Sequence, residues 1–290
     1  MSVVGPSRHP VRRICLDAGP LAVLDAAPET RVGATVVAVP GFTGSKEDFG
    51  PIADAVAEGG RRLVAIDQRG QLGSPGSDDL SAYAVERLAA DLLELCDALG
   101  DGPVHLVGHS FGGLVARAAA IARPPAVVSL ALMSSGPAAI GGAAAERVRT
   151  LRSMLATMTL TEIADLAARD PEVAARPEET RAFLRHRFEV TAAASYDGMG
   201  AAILAEPDRV GELRSTGLPV LVVHGEGDDV WLPAVQRDMA TRLGAEYVVV
   251  EGAAHSPAVE RPAATVEALR RFWSAAETGP PGERGTGMTG

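Results

Sequence analysis

The chain has 290 residues, 47% of them apolar, and a formal net charge of −10. That is enough apolar material for a sizeable core, and the acidic balance counts against a nucleic-acid partner, whose phosphates call for Lys and Arg. The two cysteines, Cys15 and Cys96, are too few for a disulfide framework and read as free, buried thiols of a reducing compartment. Lys46 is the single lysine, which reads as the composition bias of a GC-rich bacterial genome.

Residues Met1 to Arg13 are polar, are broken by Pro6 and Pro10, and lack the apolar stretch of a signal peptide. No run approaches the ~18 apolar residues of a membrane span, so the expected location is cytoplasmic. Leu16 and the Leu21–Leu24 run suggest an antiparallel hairpin. Buried strands are then predicted at Thr35–Val39, Arg62–Ile66, Val104–Val107, Val127–Met133, Pro219–Val223 and Glu246–Val250, each a short β-branched run. Between them, Ala84–Leu99 has a helical rhythm of Val85, Leu88, Ala89, Leu92, Leu93 and Leu95. Alternating strand and helix predicts a mostly parallel, doubly wound α/β sheet covered on both faces. From 137 to 206 the strand rhythm stops, and helical spacing around Leu151–Leu155, Ile163–Ala168 and Arg181–Val190 marks a helical insertion. The core is therefore expected at 1–136 and 207–277, with a disordered Gly/Pro tail at 278–290.

Gly108–His109–Ser110–Phe111–Gly112 is a G-x-S-x-G pattern directly after a strand and opening a small-residue helix. A nucleophile on a strained turn needs small neighbours two residues to either side, because strand and helix must approach closely. The turn lifts the Ser110 hydroxyl clear and directs the Phe111 N–H at the reacting centre. The serine needs a base. Among six histidines, His105 reads as a satisfied strand residue, His109 as packing and His224 as structural. His255 stands in a loop after the last strand, at the carboxyl end where a base belongs. The base needs an orienting carboxylate. Asp228, in Gly225–Glu226–Gly227–Asp228–Asp229, is favoured for that role, with Asp229 the alternative, exposed or capping the helix near Pro233 if it loses.

The order Ser110…Asp228…His255 resembles that of the α/β-hydrolase superfamily. Val39–Pro40–Gly41–Phe42 resembles its oxyanion loop, and Asp67–Gln68–Arg69–Gly70–Gln71–Leu72–Gly73–Ser74 resembles its D-x-R-G-x-G-x-S loop. The resemblance implies a sheet of about eight strands, a helical cap at 137–206, and an oxyanion hole built from the N–H groups of Phe42 and Phe111. Pro40 replaces a common histidine but leaves the Phe42 donor intact, while Leu72 should reshape its loop without touching the chemistry. A serine at 110 argues against the carboxylate-nucleophile branches. No metal-ligand pattern or phosphate cradle is present, so no cofactor or metal is expected.

The expected activity is hydrolysis of a small to medium, mainly apolar carboxylic ester, thioester or lactone through an acyl-enzyme. Other chemistry on the same triad (carbon–carbon hydrolysis, amide hydrolysis, perhydrolysis or haloperoxidase activity without a cofactor) is the alternative, and a non-catalytic ligand-binding protein is a third reading. Trp231, Met154, Phe183 and Tyr196 are candidates for the substrate pocket, whereas Arg181, Arg185 and Arg187 read as a solvated helix face. The partner is a small molecule, and the oligomeric state is left open.

Overall fold

The computed structural model describes residues 4–6 and 8–278. Its strands are β1 (Val11–Ile14), β2 (Leu21–Ala26), β3 (Val36–Val39), β4 (Leu63–Ile66), β5 (Val104–His109), β6 (Val127–Met133), β7 (Val220–Gly225) and β8 (Glu246–Val250). They form one eight-stranded sheet in the order β1-β2-β4-β3-β5-β6-β7-β8. Strands β1 and β2 are antiparallel to their neighbours, and the other six run parallel. From β3 the chain steps to β4 on one side and then crosses to β5 on the other, so the order reverses between β3 and β5. Ligand crevices open at such a reversal, beyond the carboxyl ends of the strands.

The two-residue period of the strands divides the core into two layers. Val37, Val39, Val64, Ile66, Leu106 and Leu132 face one side, against α2 (Val85–Leu99), α3 (Phe111–Ala122) and later α10 (Pro233–Leu243). Val36, Ala38, Leu63, Ala65, Val107 and Ala131 face the other, against α1 (Gly50–Glu58) and α12 (Pro262–Thr278). The predicted doubly wound α/β sheet is thus present.

Four local expectations are corrected. Strand β1 begins within the Met1–Arg13 stretch read only as polar, and Leu16 sits in the turn after it. An edge strand with three exposed residues carries no burial pattern to read. Strand β8 was read as buried, yet it forms the opposite edge and is mostly open on its flanks. Cys15 is exposed, while Cys96 is buried as expected. Strands β5 and β7 each run two residues further than predicted, which brings His109 and Gly225 into the sheet. The tail beyond Thr278 lies outside the described residues. Among the described residues, no helix is long and apolar enough to cross a membrane.

Between β6 and β7 the chain forms α4 (Gly142–Leu155), α5 (Leu160–Ala167), α6 (Pro171–Ala174), α7 (Glu178–Val190) and α8 (Ala193–Ala205), then α9 (Val210–Ser215). Entry and exit of this segment lie side by side: Ala139 N–H donates to Glu206 at 2.9 Å and Ile140 N–H to Ile203 at 3.2 Å. The buried Arg117 of α3 ties both roots to the sheet. Its guanidinium donates to the carbonyls of Gly136 and Pro137 and to Glu206 Oε1 at 2.7 Å. The segment also reaches over the strand ends. Arg187 of α7 pairs with Asp48 at 2.7 Å, and Arg147 of α4 pairs with Asp229 at 3.0 Å. Arg187 is therefore no solvated helix residue; only 12% of its side chain is exposed.

Candidate active site

Ser110 occupies the junction of β5 and α3 with φ 55° and ψ −123°. A residue with a Cβ enters positive φ only when its surroundings impose it. Here the Ser110 N–H is held by the Met133 carbonyl at 2.9 Å, and α3 starts at the next residue. A Cβ on Gly108 would collide with the backbone of Gly112 and Gly113, and one on Gly112 with the carbonyl oxygens of Val39 and Pro40. The two glycines are the contact surface of strand, helix and the loop after β3, which is why the pattern needs them.

His255 lies in the loop after β8. Its Nδ1 is 2.9 Å from Asp228 Oδ1, and its Nε2 is 3.0 Å from Ser110 Oγ. An ionised carboxylate only accepts, so Nδ1 carries the proton and the Nε2 lone pair faces the serine hydroxyl. Asp228, in the loop after β7, is buried. Its Oδ1 also accepts the Val230 N–H at 3.0 Å, and its Oδ2 accepts Gln236 Nε2 at 2.8 Å. Burial raises the Asp228 pKa, but the hydrogen bonds from His255, Val230 and Gln236 outweigh it and hold the carboxyl below its ordinary range. This chain can pass a proton from the Ser110 hydroxyl to His255 and stabilise the imidazolium that results.

The structure brings Ser110, His255 and Asp228 together and leaves Asp229 outside. The Asp229 side chain is 65% exposed and faces Arg147. The loop after β3 also reaches the serine: a Cβ on Gly41 would lie 3.1 Å from Ser110 Cβ. Among the described residues the Phe42 N–H has no backbone acceptor. Phe111 is fully buried, so its ring belongs to the core.

The pocket candidates separate. Tyr196 of α8 stacks on Phe188 at 4.8 Å and meets Phe42 edge-on at 6.0 Å, so it reaches the loop beside Ser110. Trp231 is buried and donates from Nε1 to the Ala138 carbonyl at 3.3 Å, bracing the root of the helical segment. Phe183 packs under the Arg187 guanidinium at 5.8 Å, and Met154 is half-buried on α4. Phe188 was also within reach of sequence reasoning as a pocket candidate, whereas Gln236 and Gln71 were missed. Gln236 is a fully buried glutamine inside α10, a side chain that needs a polar partner. Among the described residues, no group of His, Cys, Asp and Glu could hold a metal ion.

A parallel α/β sheet with a serine on its strand-to-helix elbow and a histidine–carboxylate pair on neighbouring loops defines a class of hydrolases. The profile of the Alpha/beta hydrolase family matches residues 36–268, and the chain belongs to that family. It is 31% identical over 224 residues to the pimeloyl-acyl-carrier-protein methyl ester esterase of Aeromonas salmonicida (strain A449), covering 73% of this chain and 84% of that protein. A shorter stretch, 103 residues, is 38% identical to RutD of Variovorax paradoxus (strain S110), provisionally named a carbamate hydrolase; it spans 36% of this chain and 38% of RutD. The crystal structure of the enol-lactonase from Burkholderia xenovorans LB400 superposes with a TM-score of 0.78 at 24% identity, over 91% of this chain and 100% of that one, a likeness of fold.

Proposed function

We propose that the protein is a serine hydrolase of carboxylic esters, thioesters or lactones, with Ser110 as nucleophile, His255 as base and Asp228 as the carboxylate that orients it. The observation that carries the reading is the continuous chain from Asp228 Oδ1 through both nitrogens of His255 to Ser110 Oγ, at 2.9 and 3.0 Å. Ser110 attacks the acyl carbonyl while His255 accepts its proton, and the N–H groups of Phe42 and Phe111 receive the oxyanion. His255 returns the proton to the leaving alcohol or thiol, and the acyl group stays on Ser110 Oγ. Water, deprotonated by His255, then attacks the acyl-enzyme and releases the acid.

Residues 137–206 act as a cap over this site. Support comes from their ties at both sides of it, Arg187 to Asp48 and Arg147 to Asp229. The aromatic surface of Phe42, Tyr196 and Phe188 suits an apolar acyl or alkyl group. The named esterase activity of the Aeromonas relative points the same way.

The test is turnover of a panel of p-nitrophenyl esters, thioesters and lactones by the wild type and Ser110→Ala. The wild type is expected to hydrolyse esters, and Ser110→Ala to lose turnover by a factor on the order of 10⁶, as removal of a serine-protease nucleophile does. Equal turnover by the two proteins overturns the reading.

A further inference from the structure

The loop after β4 contributes a buried side-chain amide engaged at both ends. Gln71 Oε1 accepts the backbone N–H of Gln68 at 2.9 Å. Gln71 Nε2 donates to the Gly41 carbonyl at 2.8 Å and lies 3.4 Å from the Phe42 carbonyl. Gln68 adds a second hand, its Nε2 donating to the Pro40 carbonyl at 3.0 Å. Three successive carbonyls of the oxyanion loop are thus held by two glutamines of one neighbouring loop. The Gly41 carbonyl accepts a further N–H, that of Gly44, at 3.1 Å. The holding loop is itself pinned from the helical segment. Leu72, at φ 33°, donates its N–H to Thr191 Oγ1 at 3.1 Å, and the Gly70 carbonyl accepts the Ala192 N–H at 2.8 Å.

The Gly41 carbonyl and the Phe42 N–H belong to the same planar peptide and point in opposite directions. Fixing the oxygen therefore fixes the line of the N–H. The Gln68 backbone amide, the Gln71 side-chain amide and the Gly41–Phe42 peptide also form a head-to-tail series, each donating to the next. Each bond in such a series polarises the following one and strengthens it. The free end of this series is the Phe42 N–H, in the loop whose Gly41 lies against Ser110.

We propose that Gln71 is a positioning residue of the oxyanion hole, which orients and polarises the Gly41–Phe42 peptide so that Phe42 N–H meets the developing oxyanion as a fixed, strengthened donor. The proposal rests on the acyl-transfer reading above. Its effect falls on the transition state, where negative charge sits on the carbonyl oxygen, and leaves ground-state binding almost untouched. Glutamine is the side chain that does this because it accepts and donates at once. Methionine fills similar space and does neither, while an ionised glutamate keeps the shape and loses the donor.

The experiment compares wild type with Gln71→Met and Gln71→Glu, each first shown to be folded by circular dichroism and melting. Ester kinetics are read alongside the affinity of a trifluoromethyl ketone, which adds Ser110 Oγ to its carbonyl and places an oxyanion in the hole. Gln71→Met is expected to lose roughly 10- to 100-fold in kcat, less than or equal to the loss of a whole oxyanion donor. KM should stay within about twofold, since ground-state binding is unchanged. Ketone affinity should fall by the same factor as kcat/KM, and the Phe42 amide proton of the ketone adduct should move upfield in a ¹⁵N-phenylalanine-labelled sample. If Gln71→Met does not fold, the isosteric Gln71→Glu carries the same expectations. Unchanged kcat and ketone affinity in a folded variant overturn the proposal, as does a rise in KM alone. A wild type that forms no ketone adduct and hydrolyses no ester overturns the acyl-transfer reading and the relay with it, an outcome distinct from equal, tight adducts in wild type and variant, which overturn the relay alone.

Discussion

His109 Nε2 donates to the carbonyl oxygen of His255 at 2.7 Å, and the two imidazole rings lie 5.0 Å apart. The residue before Ser110 thereby holds the backbone of the loop that carries His255. A carbonyl only accepts, so the proton of His109 sits on Nε2. Burial, reinforced by the neighbouring His255 imidazole, pushes the His109 pKa down to about 4. His109 is therefore neutral at pH values well above 4.

This has a signed consequence for stability. An unfolded imidazole titrates near 6.5 and the folded one near 4. Between those values the unfolded chain holds the extra proton, so stability contributed by neutral His109 is full above 6.5 and is lost as pH falls towards 4. The contribution is on the order of 3 kcal/mol. Urea denaturation at pH 7 and pH 4.5 should show a smaller drop for His109→Gln, which does not titrate, than for the wild type. An equal drop in both proteins would remove His109 from the acid response.

Gln236 should act on the far oxygen of Asp228. Its Nε2 donates to Asp228 Oδ2 at 2.8 Å and to the Trp231 carbonyl at 2.7 Å, so it ties the carboxylate to the start of α10. Gln236→Leu removes one of the hydrogen bonds that hold the Asp228 pKa down. A loss of roughly tenfold in kcat is expected, the low end for removing an outer partner of a functional group. The acid limb of the kcat/KM profile should also move to higher pH, since a carboxylate that has lost a donor takes up its proton at a higher pH. Steady-state kinetics from pH 5 to 9 check both. A wild-type profile with unchanged kcat would show that Asp228 needs only His255 and Val230.

Arg117 and Glu206 form a buried pair at 2.7 Å, each less than 5% exposed at the side chain. Burial lowers the arginine pKa and raises that of the carboxyl, even against their mutual attraction. Arg117→Met leaves Glu206 buried without its partner, at a cost of about 3–5 kcal/mol. It also frees the Gly136 and Pro137 carbonyls at the root of the helical segment. The double variant Arg117→Met/Glu206→Met should recover much of the loss, because no lone charge remains. Chemical denaturation of the three proteins measures it. A double variant no more stable than Arg117→Met would locate the cost in the two carbonyls instead of the charge.

Much of this arrangement is legible in the amino-acid sequence. The interior strands announce themselves because a strand covered on both faces is predominantly apolar and rich in β-branched residues. The elbow announces itself because Gly108 and Gly112 face backbone on the other side of the turn. Strand β1 was hidden because an edge strand has no need of buried residues. Gln71 and Gln236 were hidden for a different reason. Their partners, Gly41 and Asp228, are set by how loops from separate strands meet, and no local pattern encodes that. Arg187 was misread because a charged residue on a polar helix looks solvated until its partner, Asp48, is brought to it by the fold.

The contact of His255 Nε2 with Ser110 Oγ implies that His255 activates the serine. Labelling with a fluorophosphonate, followed by peptide mass spectrometry, tests it most directly. The predicted result is a single adduct on Ser110 in the folded wild type, formed far more slowly in folded His255→Ala. A folded wild type in which Ser110 stays unmodified, or labelling at the same rate without His255, would mean that His255 does not activate Ser110.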